Sequence, residues 1–326
     1  MNWSSGISKQ SKRIIIDTDP GIDDALAILL ALASPELQVE GLTIVSGNST
    51  LDQGVKNALS ILELGGRSDV PVTAGAARPL VQPLLIAPET HGGFGLGYAT
   101  LPPARKQPLD EHAVQFIIER CLSCRGEISL VCIGPLTNLA LALRMAPELN
   151  TAISEVIIMG GAIRHGGNTT PIAEFNTFCD PHAAHIVFHS GLPLLLVPLD
   201  VTYQVVFTKA DVHRLLKSPS AIPQFIDDAT RYYMEFHNDY QKIEGCIIND
   251  PLALALTFAP YLVDVDRLYV DVDISGGVSM GNTFADFFNM QHQQPNMQVA
   301  LGVRPREFIE IFLERIESLC FSRPNK

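Results

Sequence analysis

The stretch IIIDTDPGIDDALAILLALA, residues Ile14–Ala33, decides the fold. Its three isoleucines are typical of the end of a buried strand, and from Asp24 onward the apolar residues recur with helical spacing. Asp17 to Asp23 therefore occupy the turn between a strand and a helix, where Gly21 frees the backbone. This unit predicts the first strand-to-helix step of an α/β fold.

The same strand-to-helix pattern recurs along the chain. Short β-branched apolar runs end in Asp, Asn or Gly: RIIID, VEGLTIVSGN, ISLVCIGP, EVIIMGGA and PLLLVPLD. Helix-like segments alternate with them, among them DQGVKNALSILELGG, EHAVQFIIERCLS and PLTNLALALRMAP. Strands that are apolar on both faces predict a mostly parallel central sheet covered by helices. We expect a single α/β domain over residues 13–322, preceded by a flexible lead-in over residues 1–12.

Two segments interrupt this alternation. LLIAPETHGGFGLGYATLPPAR, residues 84–105, is too rich in Gly and Pro for a regular element, and DDATRYYMEFHNDYQKIEGCIIND, residues 227–250, is aromatic and polar. Segments of this kind beside a site often act as lids. Later, residues 267–288 predict a β-hairpin around Gly276-Gly277, and PREFIEIFLERIESL predicts a closing helix.

Composition narrows the class of protein. The 326 residues are 47% apolar and 18% charged, which is typical of a compact soluble chain. The formal net charge of −12 argues against a nucleic-acid partner, because phosphate binding needs basic patches. The sequence has neither the apolar core of a signal peptide near Met1 nor a run long enough for a membrane helix. We therefore expect a cytoplasmic protein without a membrane partner.

The six cysteines are expected to be reduced structural thiols. Cys121 and Cys124 alone have C-x-x-C spacing, and they lie inside helix-like sequence. A zinc ribbon would need a second pair, and a redox site would need the motif at the start of a helix that follows a strand.

Four aspartates fall within eight positions of the opening stretch. They are Asp17, Asp19, Asp23 and Asp24. The start of a helix favours negative charge, so capping accounts for one or two of them, but not for four. A divalent cation held by carboxylate oxygens accounts for the whole cluster. The cluster is not an EF-hand, because the sixth and twelfth positions, which require Gly and Glu, are Ile22 and Ile28.

An apolar strand that ends in Asp-x-Asp also resembles the Mg²⁺-dependent phosphatases of the haloacid-dehalogenase type. In those enzymes a stretch led by Thr or Val follows, whereas here Pro20-Gly21 follows. The phosphatase would also need a downstream Lys and an acidic pair at strand ends, which the sequence does not offer. It is kept as an alternative.

Further motifs carry a more specific resemblance. After DTDPGIDDALAILLAL come VSGNSTL, THGGFGLG, IGPLTNLALAL, IIMGGA, GNTTPIAEFN and NDPLALA, which begin at residues 45, 90, 133, 157, 167 and 249. In this order the motifs resemble the inosine-uridine preferring nucleoside hydrolases, which are calcium-dependent N-ribohydrolases. The resemblance implies hydrolysis of the N-glycosidic bond of a ribonucleoside to free base and ribose, through an oxocarbenium-like transition state and a Ca²⁺-activated water. It also implies a homodimer or homotetramer.

The resemblance implies a calcium site at the acidic turn. The implied ligands are Asp19, Asp24, Asp250 and the backbone carbonyl of Ile133, with Asp17 supporting them from behind. Asp19 is the implied general base, and Asp23 is close enough in sequence to compete for that role. Asp250, followed by Pro251, would also suit the cap of a helix, and capping and metal binding can coexist.

The resemblance also implies a set of substrate contacts. They are Asp23, Asn48, His91, Met159, Asn168, Glu174, Asn176 and Asn249. The first two match residues that hold the ribose 2′- and 3′-hydroxyls, and Asn168, Glu174 and Asn176 match those that hold the 5′ and lower hydroxyls. Carboxylates and amides suit a sugar, which alternates donors and acceptors. Taken alone, Asn168 beside Gly167 would be a turn residue.

Asn249 departs from the family pattern. Many members have His at this position, and an amide cannot act as the general acid that protonates the leaving base. Another residue then protonates it, the base is stabilised by stacking on Tyr232 or Tyr233, or the chain is a calcium-dependent nucleoside- or ribose-binding relative with weak activity. The candidate acids are His91, His237 and Tyr240. His237 would also suit the exposed face of a helix.

Overall fold

The structure is a computed structural model that describes residues 11–321. The expected lead-in over residues 1–12 lies outside the described residues except for its last two positions, and the first strand begins at Lys12. Residue 322 also lies outside them, so the expected domain bounds of 13–322 stay predictions.

The strands and helices follow the order expected for an α/β chain. The strands are β1 Lys12–Thr18, β2 Leu37–Ile44, β3 Val72–Ala74, β4 Ile128–Cys132, β5 Glu155–Met159, β6 Leu194–Val197, β7 Val206–Phe207, β8 Cys246–Ile247, β9 Val263–Leu268, β10 Val270–Val272, β11 Thr283–Ala285 and β12 Met297–Val303. The helices are α1 Ile22–Ala33, α2 Leu51–Leu64, α3 Pro88–His91, α4 Ala113–Ser123, α5 Thr137–Met145, α6 Phe175–Cys179, α7 Pro181–Phe188, α8 Leu199–Thr202, α9 Lys209–Leu215, α10 Ala221–Phe236, α11 Asn249–Ala255 and α12 Pro305–Phe321. Short 3₁₀ turns span Pro147–Thr151 and Pro260–Leu262, and a π-helical turn spans His237–Gln241.

The central sheet has the strand order β3-β2-β1-β4-β5-β6-β12-β9. Its strands are parallel except for β9, which pairs antiparallel with β12 at one edge. Helices cover both faces, and the isoleucines of β1 alternate between the two apolar cores: Ile14 and Ile16 join one, and Ile15 joins the other. The expected single α/β domain with a mostly parallel sheet is confirmed.

The position of β1 in the sheet places the site. The chain runs outward from β1 to β2 and β3, and β4 then pairs with the free side of β1. Loops that leave β1 and β4 therefore diverge, which opens a crevice at the carboxyl ends of these strands. Asp19, Asn48 and Ile133 follow the ends of β1, β2 and β4, and Met159 ends β5, so they meet at this edge.

The two interrupting segments differ in structure. Residues 84–105 are irregular except for the single turn of α3, as expected. Residues 227–250, in contrast, are largely helical, because α10 continues through Phe236 into the π-helical turn. Its apolar residues recur at helical spacing and form a buried face: Ile222, Phe225, Ile226, Ala229 and Tyr233. Tyr233 of this segment is therefore packed, whereas Tyr240 in the π-helical turn is exposed, and the turn ends at Lys242 with φ of 60°.

The predicted C-terminal hairpin and closing helix are confirmed as β10–β11 and α12. The hairpin braces the loop after β5 and helix α6. The Thr283 hydroxyl lies 2.7 Å from the Ala162 nitrogen and 2.9 Å from its carbonyl oxygen, and the Thr177 hydroxyl donates to the Gly281 carbonyl at 3.1 Å.

Two sequence expectations concern the chain as a whole. All six cysteines lie within the described residues and are free thiols, with Cys124 half-buried and the others buried. Among the helices of residues 11–321, none is long and apolar enough to cross a membrane.

We predict that Gly41→Ala destabilises the fold. Gly41 lies in β2 against Phe116 of α4, and a Cβ there would stand 2.6 Å from the Phe116 ring. Overpacking of a closed core costs about 1–3 kcal/mol of unfolding free energy, which urea denaturation measures. Gly277→Ala, where a Cβ would meet only the Ser275 hydroxyl at 4.0 Å, is the matched control. Combining Gly41→Ala with Phe116→Leu should cost less than the sum of the single changes, and strict additivity would contradict the contact.

Candidate active site

A cavity of about 490 Å³ opens at the carboxyl edge of the sheet, between the two interrupting segments. Most of the site residues predicted from the sequence line it. They are Asp23, Asn48, His91, Ile133, Met159, Asn168, Glu174, Asn176, His237, Tyr240, Asn249 and Asp250. Asp19 and Asp24 are fully or almost fully buried and do not belong to the cavity lining among the described residues.

Three carboxylates meet where two helices begin. Asp23 and Asp24 are the second and third residues of α1, and Asp250 is the second residue of α11. One oxygen from each lies within 4.8 Å of the other two, and all three side chains are buried. Helix N-termini favour negative charge, so the two converging helices stabilise this group in part. The cap position of α11 is Ile248 rather than Asp250, and no side-chain capping bond is formed there within residues 11–321, so capping does not explain Asp250.

Asp19 has a carboxylate oxygen without a partner. Its Oδ2 accepts the Asn48 backbone N–H at 2.6 Å, whereas its Oδ1 is buried and has no hydrogen-bond partner among the described residues. The backbone comes close to this side chain at Gly47 and Gly134, and a Cβ at Gly134 would lie 2.6 Å from Oδ1. A buried orphan carboxylate oxygen needs a partner, and a cation is the partner that suits its charge.

Asp24, in contrast, is fully hydrogen-bonded. Its oxygens accept from the Thr18 hydroxyl at 2.5 Å, the Asn48 amide at 2.8 Å and the backbone N–H groups of Gly21 and Asp19 at 2.9 and 3.2 Å. The bond from Gly21 caps helix α1, so the capping interpretation holds for this aspartate. Capping fixes the carboxylate beside Asp23, where it can also face a cation.

Asp17 supports the turn from behind. Its Oδ1 accepts from the Thr43 hydroxyl at 2.5 Å and from the Asn138 amide at 2.8 Å. Burial raises the pKa of Asp17 to about 7. Asn138 also donates to the Ile44 carbonyl at 3.1 Å, so this network ties the ends of β1 and β2 to helix α5.

Burial and mutual repulsion disfavour the ionised forms of the four carboxyl groups in this cluster. Burial, followed by the charge of neighbouring carboxylates, raises the pKa of Asp19, Asp24 and Asp250, and burial raises the pKa of Asp23. A cation among these oxygens would favour their ionised forms. An all-oxygen donor set suits a hard divalent cation such as Ca²⁺ or Mg²⁺, so the residues present fit a metal of this class.

The polar side chains on the opposite wall are oriented by the backbone. Glu174 caps helix α6 by accepting the N–H groups of Gly161, Asn176 and Thr177 at 2.9, 2.8 and 3.0 Å. The Asn176 amide donates to the Ile133 carbonyl at 3.0 Å and to the Met159 carbonyl at 3.3 Å. This wall therefore bridges the ends of β4 and β5.

Asn168 combines its two predicted roles. Its Oδ1 accepts the Phe175 backbone N–H at 2.9 Å, as a turn residue does, and the same side chain lines the cavity.

His91 reaches from the first interrupting segment to the start of α1. Its Nδ1 accepts the backbone N–H of Ile22 at 3.1 Å, which requires the proton on Nε2. Gly21 permits this approach, because a Cβ there would lie 2.6 Å from Nδ1. Burial lowers the pKa of His91 to about 4, so the ring is a neutral hydrogen-bond donor at pH 7.

His237 has the opposite tautomer. The ring is 3% exposed, so the interpretation as a surface histidine is wrong; the continuation of α10 into the π-helical turn carries it inward. Its Nδ1 lies 2.8 Å from the Tyr233 carbonyl and therefore holds the proton, which leaves Nε2 as an acceptor. Burial lowers its pKa to about 4.

The tyrosines divide between the cavity and the surface. Tyr233 lines the cavity, with its ring centroid 5.4 Å from His91 and 4.4 Å from His237. Tyr232 instead donates to the Pro88 carbonyl at 3.1 Å and fixes α10 to α3. Tyr240 stands at the mouth and is 73% exposed.

Asn249 contacts the acidic cluster directly. Its amide donates to Asp23 Oδ2 at 3.1 Å, and the Tyr233 hydroxyl lies 3.4 Å from the same oxygen. Its own Oδ1 is buried and unpartnered within residues 11–321.

Sequence reasoning missed Tyr203 and Gln241, which also line the cavity. The Gln241 amide donates to the Tyr203 hydroxyl at 3.0 Å, and the Tyr203 ring packs 4.6 Å from His165. Burial raises the pKa of Tyr203 to about 12. The run PLLLVPLD pointed to the end of β6, but Tyr203 lies one further helical turn along the chain, after α8.

Comparison with known proteins agrees with this geometry. Residues 14–310 match the model of the inosine-uridine preferring nucleoside hydrolase family. The chain is 38% identical to the pyrimidine-specific ribonucleoside hydrolase RihA of Salmonella schwarzengrund (strain CVM19633), over 93% of this chain and 98% of the relative.

Two solved structures are similar over nearly their whole length. The purine-preferring ribonucleoside hydrolase from Gardnerella vaginalis superposes with a TM-score of 0.90 at 34% identity, covering 96% of this chain and 100% of that one. The plant nucleoside hydrolase PpNRh1 gives a TM-score of 0.90 at 35% identity, with 94% and 99% covered. This chain therefore belongs to the inosine-uridine preferring nucleoside hydrolase family, and it is an enzyme that hydrolyses the N-glycosidic bond of ribonucleosides.

Proposed function

We propose that the hydrolysis depends on a Ca²⁺ ion held at the acidic turn. The proposed ligands are Asp19, Asp24, Asp250 and the backbone carbonyl of Ile133. The observation that carries this proposal is the buried, unpartnered Oδ1 of Asp19 beside the three converging carboxylates. Ca²⁺ accepts six to eight oxygen ligands in flexible geometry, which suits this mixed set better than the strict octahedron of Mg²⁺. When bound, the ion would orient the attacking water and lower its pKa.

Asp19 is proposed as the general base. Its Oδ2 is held by the Asn48 backbone N–H, so the same Oδ1 that is proposed to face the ion would also lie beside an ion-bound water and accept its proton. Asp23 is the weaker candidate, because its Oδ2 already accepts from Asn249 and Tyr233.

The ribose would lie between the two polar walls. Asp23 and Asn48 face it from the acidic side, and Asn168, Glu174 and Asn176 face it from the opposite side. Positive charge that develops on the sugar in the transition state is stabilised by carboxylates preorganised around it. The unpartnered Oδ1 of Asn249 offers one further acceptor for a donor on the substrate.

The two histidines are proposed to read the base. His91 presents a neutral N–H, His237 presents a lone pair, and Tyr233 lies between their rings. An adjacent donor and acceptor suit a base with an amide edge, such as uracil or hypoxanthine. Because Nε2 of His237 lacks a proton, we propose that His91 rather than His237 donates a hydrogen bond to the departing base, with Tyr240 as a second donor at the mouth.

The oligomeric state and the cellular location of the enzyme are also proposals. We propose a homodimer or homotetramer, supported by exposed apolar side chains near the hairpin, including Val278, Phe288 and Met290, which are 98%, 85% and 77% exposed. Light scattering on the purified chain tests this.

We propose a cytoplasmic location, supported by six free thiols, which a reducing compartment maintains.

We predict that Asp19→Ala or Asp24→Ala abolishes calcium binding and lowers turnover by roughly 10²–10⁴-fold or more, since each removes a proposed ligand and the first also removes the base. Calorimetric titration with Ca²⁺ and turnover of p-nitrophenyl riboside measure the two effects. Asp69→Ala, at an exposed ion pair with Arg67, is the control. An active, calcium-replete Asp19→Ala enzyme would contradict the assignment.

We predict that Asn249→His raises turnover on uridine or inosine more than on p-nitrophenyl riboside. The nitrophenolate departs without protonation, so a new general acid helps only the natural bases. The ratio of kcat values for the two substrates measures the effect. Equal changes on both substrates would show that the residue at position 249 does not affect proton transfer to the leaving base.

We predict that His237→Phe raises KM for uridine and inosine by roughly 10-fold, because a base N–H loses an acceptor worth about 1–2 kcal/mol. p-Nitrophenyl riboside lacks the amide edge and should be unaffected. Tyr261→Phe, which removes a hydroxyl from an exposed tyrosine outside the cavity lining, is the control. A parallel loss on all three substrates would show that His237 acts only on the fold.

A further inference from the structure

A second group of metal-ligating side chains lies away from the active site. His185 is in helix α7, and His189 lies one helical turn after it, directly after the last residue of that helix. Asp271 is in β10 of the hairpin. His185 Nδ1 is 2.9 Å and His189 Nε2 is 3.1 Å from Asp271 Oδ1. One ligand atom from each residue lies within 4.8 Å of the other two.

A hydrogen-bonded pair does not account for this arrangement. Asp271 Oδ1 faces both ring nitrogens and also accepts the backbone N–H of Val272 at 2.8 Å. Three donors would then converge on one oxygen, which has two lone pairs. If the two imidazoles instead direct lone pairs toward a shared cation, the crowding is resolved, because ring nitrogens and carboxylate oxygen all act as ligands.

The group is preorganised and accessible. The two rings lie 4.5 Å apart, at the spacing that places residues i and i+4 on one face of a helix. The Tyr269 hydroxyl lies 3.4 Å from Asp271 Oδ2 and holds the carboxylate in place. The side chains of His185, His189 and Asp271 are 39%, 34% and 18% exposed. Clefts of about 320 and 420 Å³ adjoin the group, so a hydrated ion has a path to it.

We propose that His185, His189 and Asp271 bind a divalent first-row transition metal, of which Zn²⁺ suits the donors best. Two imidazoles and one carboxylate form a three-ligand set that leaves a fourth tetrahedral position for water. The set differs in kind from the all-oxygen cluster at the acidic turn, which suits a hard cation. The two sites would therefore select different metals.

The metal would fasten the hairpin to helix α7. The hairpin is already joined to the loop after β5 and to α6 at Ala162 and Thr177, and the Asn296 amide links Phe188 at the end of α7 to Val270, so a metal would add a further bond across this contact. Because α6 and α7 are consecutive and α6 begins at the cap residue Glu174, a metal here braces the wall that carries Glu174 and Asn176. An ion that binds the folded chain alone stabilises it by mass action.

The test is uptake of Co²⁺ and Zn²⁺ by the full chain kept in excess Ca²⁺. Visible absorption of Co²⁺ and calorimetry with Zn²⁺ report stoichiometry, and thermal unfolding reports stabilisation. The variants are His185→Gln, His189→Gln and Asp271→Asn. The control is His213→Gln, which removes an exposed histidine on α9. Turnover of p-nitrophenyl riboside without Zn²⁺ checks that each variant is folded.

We expect one equivalent of Co²⁺ or Zn²⁺ to bind the wild-type chain and His213→Gln, with a rise in Tm. In His185→Gln and His189→Gln, affinity should fall at least 10-fold and the rise in Tm should vanish. Wild-type protein that takes up no Co²⁺ would overturn the proposal and leave a hydrogen-bonded cluster only. Uptake that survives in both histidine variants would also overturn it, because the metal would then sit elsewhere, such as at the acidic turn.

Discussion

The mutual repulsion of buried carboxylates at the meeting of two helix N-termini is the constraint on which the site depends. Asp23 and Asp24 begin α1, Asp250 begins α11, and Asp19 lies beneath them with an unpartnered oxygen. Two helix dipoles and the surrounding N–H groups offset part of this charge. The remainder explains why the residues fit a cation. The glycines at 47 and 134 let the backbone approach the Asp19 carboxylate, because a Cβ at either position would collide with it.

The same geometry connects the metal site to the substrate site. Asp23 lies at their junction, since one of its oxygens is within 4.8 Å of those of the proposed ligands Asp24 and Asp250 and its side chain also lines the cavity. Asn48 likewise donates its backbone N–H to Asp19 and its amide to Asp24 while it faces the cavity. With the proposed ligands and sugar contacts, a change at either residue would affect the binding of the ion and of the sugar together.

Sequence reasoning from the strand ends predicted which edge of the sheet would hold polar residues, while the family resemblance implied the particular site residues. Asp19, Asn48 and Met159 lie at the carboxyl edge because parallel strands align their ends there. It could not predict the histidine tautomers, since His91 gains its role by capping a helix 69 residues earlier in the chain and His237 by burial at the end of α10. The group around His185 was missed for a similar reason: Asp271 comes from 86 residues further on.

The most direct test of the calcium proposal is a titration of Ca²⁺ into chelator-treated protein, followed by both calorimetry and turnover of p-nitrophenyl riboside. The account predicts one site at the acidic turn, no turnover in the calcium-free chain and activity that rises in proportion to occupancy of that site. Full turnover in the calcium-free protein, or calcium binding that leaves turnover unchanged, would contradict it.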